Sequence, residues 1–195
     1  MPLMTFEPYA SRSHDKMKEV LMKPEVSGPA IHYYMIRGGS SKRNITVMET
    51  GTVGGEYIKT YGHYHIGNLD ETYWFVQGEG VVLQQKLADP ADPEVVEEFK
   101  AIQVKQGDSA YMPPGYGHLI LNTGKEWMVM VDDSPVEGTQ DSASMPGHAD
   151  YEMVKQMHGF AYYVVEKDGK PALVPNKLYK EVRKTDFGGL PVIAD

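Results

Sequence analysis

Residues 63–78 read HYHIGNLDETYWFVQG, and this stretch decides the fold. Two histidines one residue apart are followed by a glycine turn and then by a run rich in β-formers. Because residues i and i+2 of a strand face the same side, His63 and His65 are predicted to lie next to each other. Two imidazoles near the carboxylate of Glu71 favour one half of a metal site. A surface strand with two solvated histidines is the alternative.

Composition limits the class of protein and the kind of metal site. The chain of 195 residues has a net charge of −8 and scattered lysines, so we expect no nucleic-acid partner. It has no run of about 18 apolar residues and no basic start leading into an apolar stretch, so we expect no membrane partner and predict a cytoplasmic protein. Because cysteine is absent, a metal must be bound by histidine, carboxylate and water.

Short β-rich runs separated by Gly, Pro, Asn and Asp fill the chain after residue 30. They predict an all-β antiparallel sandwich or barrel, since helices do not alternate with the strands. We expect helices only at the periphery, as a short N-terminal helix over residues 13–23 and one or two turns over 151–157. A hairpin over 160–175 is predicted to turn at Asp168-Gly169.

These elements predict the domain organisation. We expect an N-terminal extension over residues 1–30, a barrel domain over 31–175 and a C-terminal tail over 176–195. Residues 88–100, ADPADPEVVEEFK, predict a solvated excursion from a hairpin, with helix as one option for its acidic part. The small polar residues of 137–150 predict a loop able to act as a lid.

A second motif lies in residues 107–122, GDSAYMPPGYGHLILN. With residues 63–78 it matches the paired motifs of the cupin family, at His63, His65, Glu71, Gly78, Gly107, Pro113, Gly115, His118 and Asn122. The match departs where five residues separate His65 from Glu71 and where Tyr57 replaces an expected glycine. The resemblance implies a double-stranded β-helix, or jelly-roll barrel.

A small barrel brings inward-facing residues of neighbouring strands to one axis. We therefore expect His63, His65, Glu71 and His118 to converge on a cation. Three imidazoles and a carboxylate suit Fe²⁺, Mn²⁺, Zn²⁺ or Ni²⁺, with positions left for water or substrate. We expect one divalent ion per chain, with Fe²⁺ first among these. For His118 taken alone, a core or loop histidine without a ligand role would be the simpler interpretation.

The residues around the first motif resemble a narrower group. Residues 56–80, EYIKTYGHYHIGNLDETYWFVQGEG, are similar to the cupin-type glucose-6-phosphate isomerases of archaea and some bacteria. Gly147-His148 with Tyr151 resembles a further motif of that family. The resemblance implies a metal-dependent aldose–ketose isomerase that interconverts glucose 6-phosphate and fructose 6-phosphate in glycolysis and gluconeogenesis. Because cupin barrels commonly pair through strand edges, we also expect a homodimer.

The resemblance implies a role for each site residue. Glu71 is the candidate base in a route through a cis-enediol, and a hydride shift between C1 and C2 is the alternative. Tyr73 would hydrogen-bond the substrate or the base, or would line the barrel. The substrate would be bound by Thr46, Thr60, Gly62, His148 and Tyr151, the first four of them at its phosphate. For Thr46 and His148 the simpler interpretations are a strand former and a solvated loop residue.

Two other functions use the same residues. An iron dioxygenase with three histidines and one glutamate has the same ligand set, and oxygen uptake would separate it from an isomerase. A non-catalytic cupin that binds a sugar phosphate is the other alternative, and metal content would separate it from both enzymes. The remaining histidines His14, His32 and His158 are assigned no role.

Overall fold

The computed structural model describes residues 10–37, 44–134 and 149–194. Its first elements are β1 (Ala10–Ser13), α1 (His14–Met17), β2 (Ile31–Arg37), β3 (Asn44–Met48), β4 (Thr52–Val53), β5 (Glu56–Tyr57), β6 (His63–His65), β7 (Glu71–Gln77) and β8 (Glu79–Asp89). They are followed by β9 (Asp92–Lys105), β10 (Ser109–Met112), β11 (Gly117–Asn122), β12 (Met128–Asp132), β13 (Ala149–Asp150), α2 (Glu152–Gln156), β14 (Tyr162–Lys167), β15 (Lys170–Pro175) and β16 (Glu181–Asp186).

Two six-stranded sheets make the body of the molecule. The first has the order β1-β2-β3-β12-β7-β10, and the second has the order β13-β6-β11-β8-β9-β16. Strands distant in sequence are neighbours in both sheets, as in a jelly roll. A smaller sheet of four strands, β15-β14-β5-β4, lies beside them. The predicted all-β barrel is thus confirmed.

Buried and half-exposed side chains alternate along the strands, and this pattern shows where the core lies. In β3 the side chains of Asn44, Thr46 and Met48 are buried, and the residues between them are half-exposed. The strand β12 repeats this pattern, and β11 is buried along its whole length. Core residues of both large sheets belong to one hydrophobic cluster. The inward polar side chains of β3, β6, β7 and β11 therefore share one interior, which is where the site lies.

The predicted N-terminal helix is shorter than expected. It begins where the sequence indicates, since the Ser13 hydroxyl accepts a hydrogen bond from the Lys16 N–H at 3.3 Å, but it ends at Met17 instead of near residue 23. The following backbone is held by tertiary contacts. The carbonyl of Val20 accepts from Lys59 Nζ at 2.7 Å, and the N–H of Met22 donates to Glu56 at 2.8 Å. These bonds replace those of a continued helix.

The helical option for the acidic excursion is wrong, because residues 92–105 form the strand β9. It pairs with β8 to make one long antiparallel hairpin. Val96 and Phe99 of β9 are fully buried. A solvated helix would expose these apolar side chains, whereas the paired strand buries them. The predicted helical turns over 151–157 are confirmed by α2. The hairpin at Asp168-Gly169 is also confirmed, and both turn residues have positive φ, 52° and 75°.

The extension and the tail both contribute strands to the large sheets. The strand β1 pairs with β2, and β16 pairs in parallel with β9. The acidic side chains of β9 meet basic ones on and beside β16, where Arg183 lies 3.1 Å from Glu97 and Lys180 lies 2.5 Å from Glu94. The boundaries at residues 30 and 175 stay a prediction. Across the described ranges, no helix is long and apolar enough to span a bilayer.

Candidate active site

Four side chains from three strands form the centre of the site. His63 and His65 lie on β6, Glu71 begins β7, and His118 is the second residue of β11. The strands β6 and β11 are antiparallel, and His118 lies directly opposite His63. A loop of five residues with Gly67 at a positive φ of 79° joins His65 to Glu71 and returns the chain to the same interior.

The four groups converge as the sequence predicts. Their candidate ligand atoms all lie within 4.8 Å of one another. The ring centroids of His63 and His118 are 4.5 Å apart, and each is 5.1 Å from that of His65. Glu71 Oε2 lies 3.3 Å from His65 Nε2 and 3.1 Å from His118 Nε2.

These short approaches are not hydrogen bonds. Within the described ranges, Glu71 Oε2 and the Nε2 atoms of His65 and His118 are buried and lack an aligned hydrogen-bond partner. His65 Nδ1 lies 3.2 Å from the Leu69 carbonyl, which can only accept, so Nδ1 carries the proton and Nε2 presents a lone pair. Buried lone pairs that converge without protons between them are costly unless a cation binds them. The residues therefore fit a metal ion.

The pKa shifts within the cluster favour an ionised carboxylate at Glu71 and a basic imidazole at His65. Burial by itself would raise the pKa of Glu71, but the adjacent imidazoles of His118 and His65 outweigh it and hold that pKa well below its ordinary value. Burial likewise opposes protonation of His65, yet the Glu71 carboxylate beside it leaves its pKa raised. Three nitrogen donors and one oxygen donor suit a divalent transition metal.

The predicted substrate residues lie around this centre to different degrees. Tyr73 is buried on the same face of β7 as Glu71, with its ring 5.7 Å from that of His118. Thr46 is buried on the inward face of β3. The Tyr151 ring lies 5.4 Å from His63, at the mouth of the barrel. His148 lies outside the described residues, as does the predicted lid apart from residues 149 and 150.

Thr60 and Gly62 have local structural roles beside any contact with phosphate. Thr60 Oγ1 accepts a hydrogen bond from the Ile120 N–H at 3.0 Å, which leaves the hydroxyl proton to donate. Gly62 has a positive φ of 82°, and a Cβ there would lie 3.1 Å from Leu119 Cβ and 3.3 Å from the His118 carbonyl. Glycine at this position therefore lets the chain turn beside a ligand histidine.

Sequence reasoning missed two residues at the mouth of the barrel, Arg12 and Tyr61. Both line a cleft of about 240 Å³ together with Lys16, Ile66 and Tyr151. Tyr61 has the same parity as His63 and His65, so period two would have found it. No pattern in the sequence of β1 would have found Arg12, because the strand is four residues long and its pairing with β2 is a contact between distant parts of the chain.

Two histidines without an assigned role bind each other. His14 Nδ1 lies 3.0 Å from His32 Nε2, and His14 Nε2 lies 3.0 Å from the Val26 carbonyl. This pair fastens the segment after α1 onto β2. His158 is exposed and has a positive φ of 51°.

A jelly-roll barrel whose two motifs deliver three histidines and a glutamate to one interior point defines a cupin. Comparison with known proteins narrows this class. A family model described as Glucose-6-phosphate isomerase (GPI) matches residues 32–181. The chain belongs to this glucose-6-phosphate isomerase family.

Individual relatives agree with the family. The glucose-6-phosphate isomerase of Thermococcus kodakarensis is 33% identical over 137 residues, which cover 70% of this chain and 63% of the relative. The putative glucose-6-phosphate isomerase 2 of Rhizobium meliloti is 34% identical over 105 residues, 53% of this chain and 48% of the relative. The chain thus spans less than two thirds of the length of these relatives.

The Drosophila melanogaster CENP-C cupin domain superposes on 59% of this chain and 79% of its own, with a TM-score of 0.39 and 13% identity.

Proposed function

We propose that the protein is a metal-dependent aldose–ketose isomerase that interconverts glucose 6-phosphate and fructose 6-phosphate. The observation that carries the proposal is the convergence of His63, His65, Glu71 and His118 in a chain of this family. Buried atoms of His65, Glu71 and His118 there lack a hydrogen-bond partner among the described residues. The name of the Thermococcus relative supplies the substrate class.

The four side chains would hold one divalent ion per chain, with Fe²⁺ expected ahead of Mn²⁺, Zn²⁺ or Ni²⁺. Such an ion supplies Lewis-acid stabilisation of negative charge on the substrate oxygens. The protein's own residues do the rest. Glu71, with its carboxylate in the interior, removes the C2 hydrogen as a proton and returns it to C1, while a second proton passes from O2 to O1 of the substrate. Tyr73, buried on the same face, is placed to orient the substrate or this carboxylate.

The alternative route is a direct hydride shift from C2 to C1. Isomerisation in D₂O separates the two, because a proton held by Glu71 exchanges with solvent whereas a hydride does not. The reaction is started from fructose 6-phosphate, and proton NMR measures whether C2 of the glucose 6-phosphate formed carries deuterium, as after proton exchange, or hydrogen, as after a hydride shift. The phosphate end of the substrate is assigned to Thr46, Thr60, Gly62 and His148, and Tyr151 is proposed as a further substrate contact.

A coupled assay tests the activity directly. Purified protein is given fructose 6-phosphate, and glucose 6-phosphate is detected through NADP reduction by glucose-6-phosphate dehydrogenase. The protein is assayed as isolated, after EDTA, and with Fe²⁺, Mn²⁺, Ni²⁺ or Zn²⁺ restored. Activity that EDTA abolishes and metal restores would establish the proposal. A fully metallated protein without turnover would refute it, and oxygen consumption by that protein would indicate a dioxygenase instead.

We also propose a homodimer formed through the outer face of the first sheet. Apolar side chains that are cross-strand neighbours form a row on the side of this sheet opposite the interior. The row consists of Ile36, Ile45, Val131 and Trp74. These side chains are half-exposed in the single chain. Exposed apolar surface of this kind marks interaction sites.

An enzyme of glycolysis and gluconeogenesis without cysteine also fits a cytoplasmic location, which we propose on that ground.

A further inference from the structure

Arg12 is a buried charge at the mouth of the barrel. It is the buried residue of β1, with 6% of its surface exposed, and it lies opposite Tyr33 of β2, which is 4% exposed. Directly opposed residues of an antiparallel pair share a face, so the guanidinium points to the interior side of the first sheet. The Tyr33 hydroxyl in turn accepts a hydrogen bond from the backbone N–H of Tyr61 at 3.2 Å.

The guanidinium has little to satisfy it. Within the described ranges its only hydrogen bond is from Nη1 to the neighbouring Ser11 carbonyl, at 3.4 Å, and no carboxylate lies within ion-pair distance. Arginine has five N–H donors and keeps its charge at every physiological pH. Burying such a group without an anion is costly, so the position is one that an anionic ligand would stabilise.

The surroundings connect Arg12 to the metal-binding cluster. Its guanidinium carbon lies 5.9 Å from the centroid of the Tyr151 ring, and the same ring lies 5.4 Å from that of His63. One aromatic side chain therefore contacts both groups. The cleft of about 240 Å³ that Arg12 lines has room for a phosphoryl group. An elongated ligand would reach from His63 past Tyr151 to the guanidinium.

The other charged residues of the cleft leave Arg12 as the free cation among the described side chains there. Lys16 is already paired with Glu19 at 2.7 Å. Asp150 and Glu152 also line the cleft, and Asp150 accepts a hydrogen bond from the Glu152 N–H at 2.9 Å. Neither carboxylate lies within ion-pair distance of Arg12. An anion that enters the cleft would thus meet one buried positive charge that no described carboxylate pairs.

We propose that Arg12 binds the phosphate of the sugar phosphate and selects phosphorylated over neutral sugars. This inference rests on the proposed function and adds a charged donor from β1 to the phosphate contacts implied by family resemblance. A planar guanidinium offers two parallel N–H bonds to a phosphoryl group, which gives orientation as well as attraction. Arg12 thereby sets which end of the substrate faces the mouth.

The test compares binding of 6-phosphogluconate with binding of gluconate to metal-loaded protein by isothermal titration calorimetry. The variants are Arg12→Met, which keeps much of the bulk, Arg12→Lys, which keeps the charge, and the surface control Arg183→Met. A charge-assisted pair lost from a buried site weakens binding by about 10- to 100-fold. We expect that loss for 6-phosphogluconate in Arg12→Met, a smaller loss in Arg12→Lys, and none in Arg183→Met. Gluconate should bind all four proteins alike.

Unchanged 6-phosphogluconate binding in Arg12→Met overturns the inference, and so does equal weakening of both ligands, which would mean that Arg12 only packs against Tyr151. If Arg12→Met does not fold by circular dichroism, Arg12→Lys decides by the same comparison. Arg12-dependent binding in a protein without isomerase activity would refute the proposed function and leave this inference standing. An active wild type, together with unchanged 6-phosphogluconate binding in Arg12→Met, would support the proposed function and refute this inference.

Discussion

Glu56 and Lys59 form an ion pair inside the protein, with Nζ 2.5 Å from Oε1 and side chains 0% and 1% exposed. The pair also holds the backbone after α1, through the Val20 carbonyl and the Met22 N–H. One buried pair thus joins the N-terminal segment to the small sheet. The arrangement satisfies both charges, which is what burial requires.

Removing one partner should be far more costly than removing a surface charge. Lys59→Met leaves the Glu56 carboxylate buried without its cation, so we expect the free energy of unfolding to fall by about 3–5 kcal/mol in urea titrations. The control is Lys184→Met, whose amine is exposed and lies 3.2 Å from Glu97, and it should cost under about 1 kcal/mol. Equal losses in the two variants would contradict the prediction.

Stability should depend on pH through His32. Burial first, and then the charges of His14 and Lys59, lower the pKa of His32 from 6.5 to about 4. Between these values the unfolded chain binds a proton that the folded chain does not, so stability present above pH 6.5 is lost as the pH falls toward 4. The loss from this group amounts to about 3 kcal/mol.

Urea titrations at pH 4.5 and pH 7 measure this dependence. The variant His32→Gln keeps a donor toward His14 but does not titrate, so its stability should change less between the two pH values than that of the wild type. His158→Asn removes an exposed histidine and should behave as the wild type does. The prediction would be wrong if His32→Gln and His158→Asn showed the same pH dependence.

Metal content should depend on His118. His118→Ala removes one of four donors from a buried site, so we expect metal per chain, measured by plasma mass spectrometry after dialysis, to fall from about one to near zero. His158→Asn serves as the matched control and should retain its metal. Full metal content in His118→Ala would place the ion elsewhere.

Activity should depend on the charge of Glu71 beyond its contribution to metal binding. Glu71→Gln keeps the shape of the side chain and removes the base, so kcat should fall by about 100- to 10,000-fold. The measurement is made at saturating metal, with metal content recorded for each sample. Glu126→Gln, at an exposed position, should keep wild-type kcat. A metal-loaded Glu71→Gln with normal turnover would remove Glu71 from the chemistry.

The proposed dimer should dissociate when its face becomes charged. Val131→Glu places a carboxylate in the middle of the outer apolar row of the first sheet, where a partner would have to bury it. We expect the mass from light scattering after gel filtration to halve. Leu178→Glu introduces the same charge at another exposed apolar position, 47% exposed, and should leave the mass unchanged. A monomeric wild type would refute the interface.

The site centre could be predicted because two local motifs determine it. Alternation along β6 puts His63 and His65 on one face, and the second motif brings His118 to the facing strand. The unusual five-residue spacing before Glu71 does not matter, because the loop with Gly67 absorbs the extra length. Periodicity and turn chemistry carry this information within a few residues of sequence.

The features that the sequence does not predict depend on contacts between distant parts of the chain. The early end of α1 follows from bonds to Glu56 and Lys59, which the local sequence around residue 20 cannot show. The strand character of residues 92–105 follows from pairing with β8 and with β16, whose basic residues lie more than 80 positions away from Glu97. Arg12 was overlooked because its strand exists only through pairing with β2.

The parallel pairing of β9 with β16 also has a consequence for how the chain is made. During synthesis β9 emerges long before β16, so one edge of the long hairpin waits unpaired while the remaining strands are added. Unpaired edges invite association with the same edge of another chain. Glu94 and Glu97 lie along this edge, and their like charges repel a second copy until Lys180, Arg183 and Lys184 arrive to neutralise them. We therefore expect the acidic run to protect the unfinished molecule from aggregation before it pairs with β16.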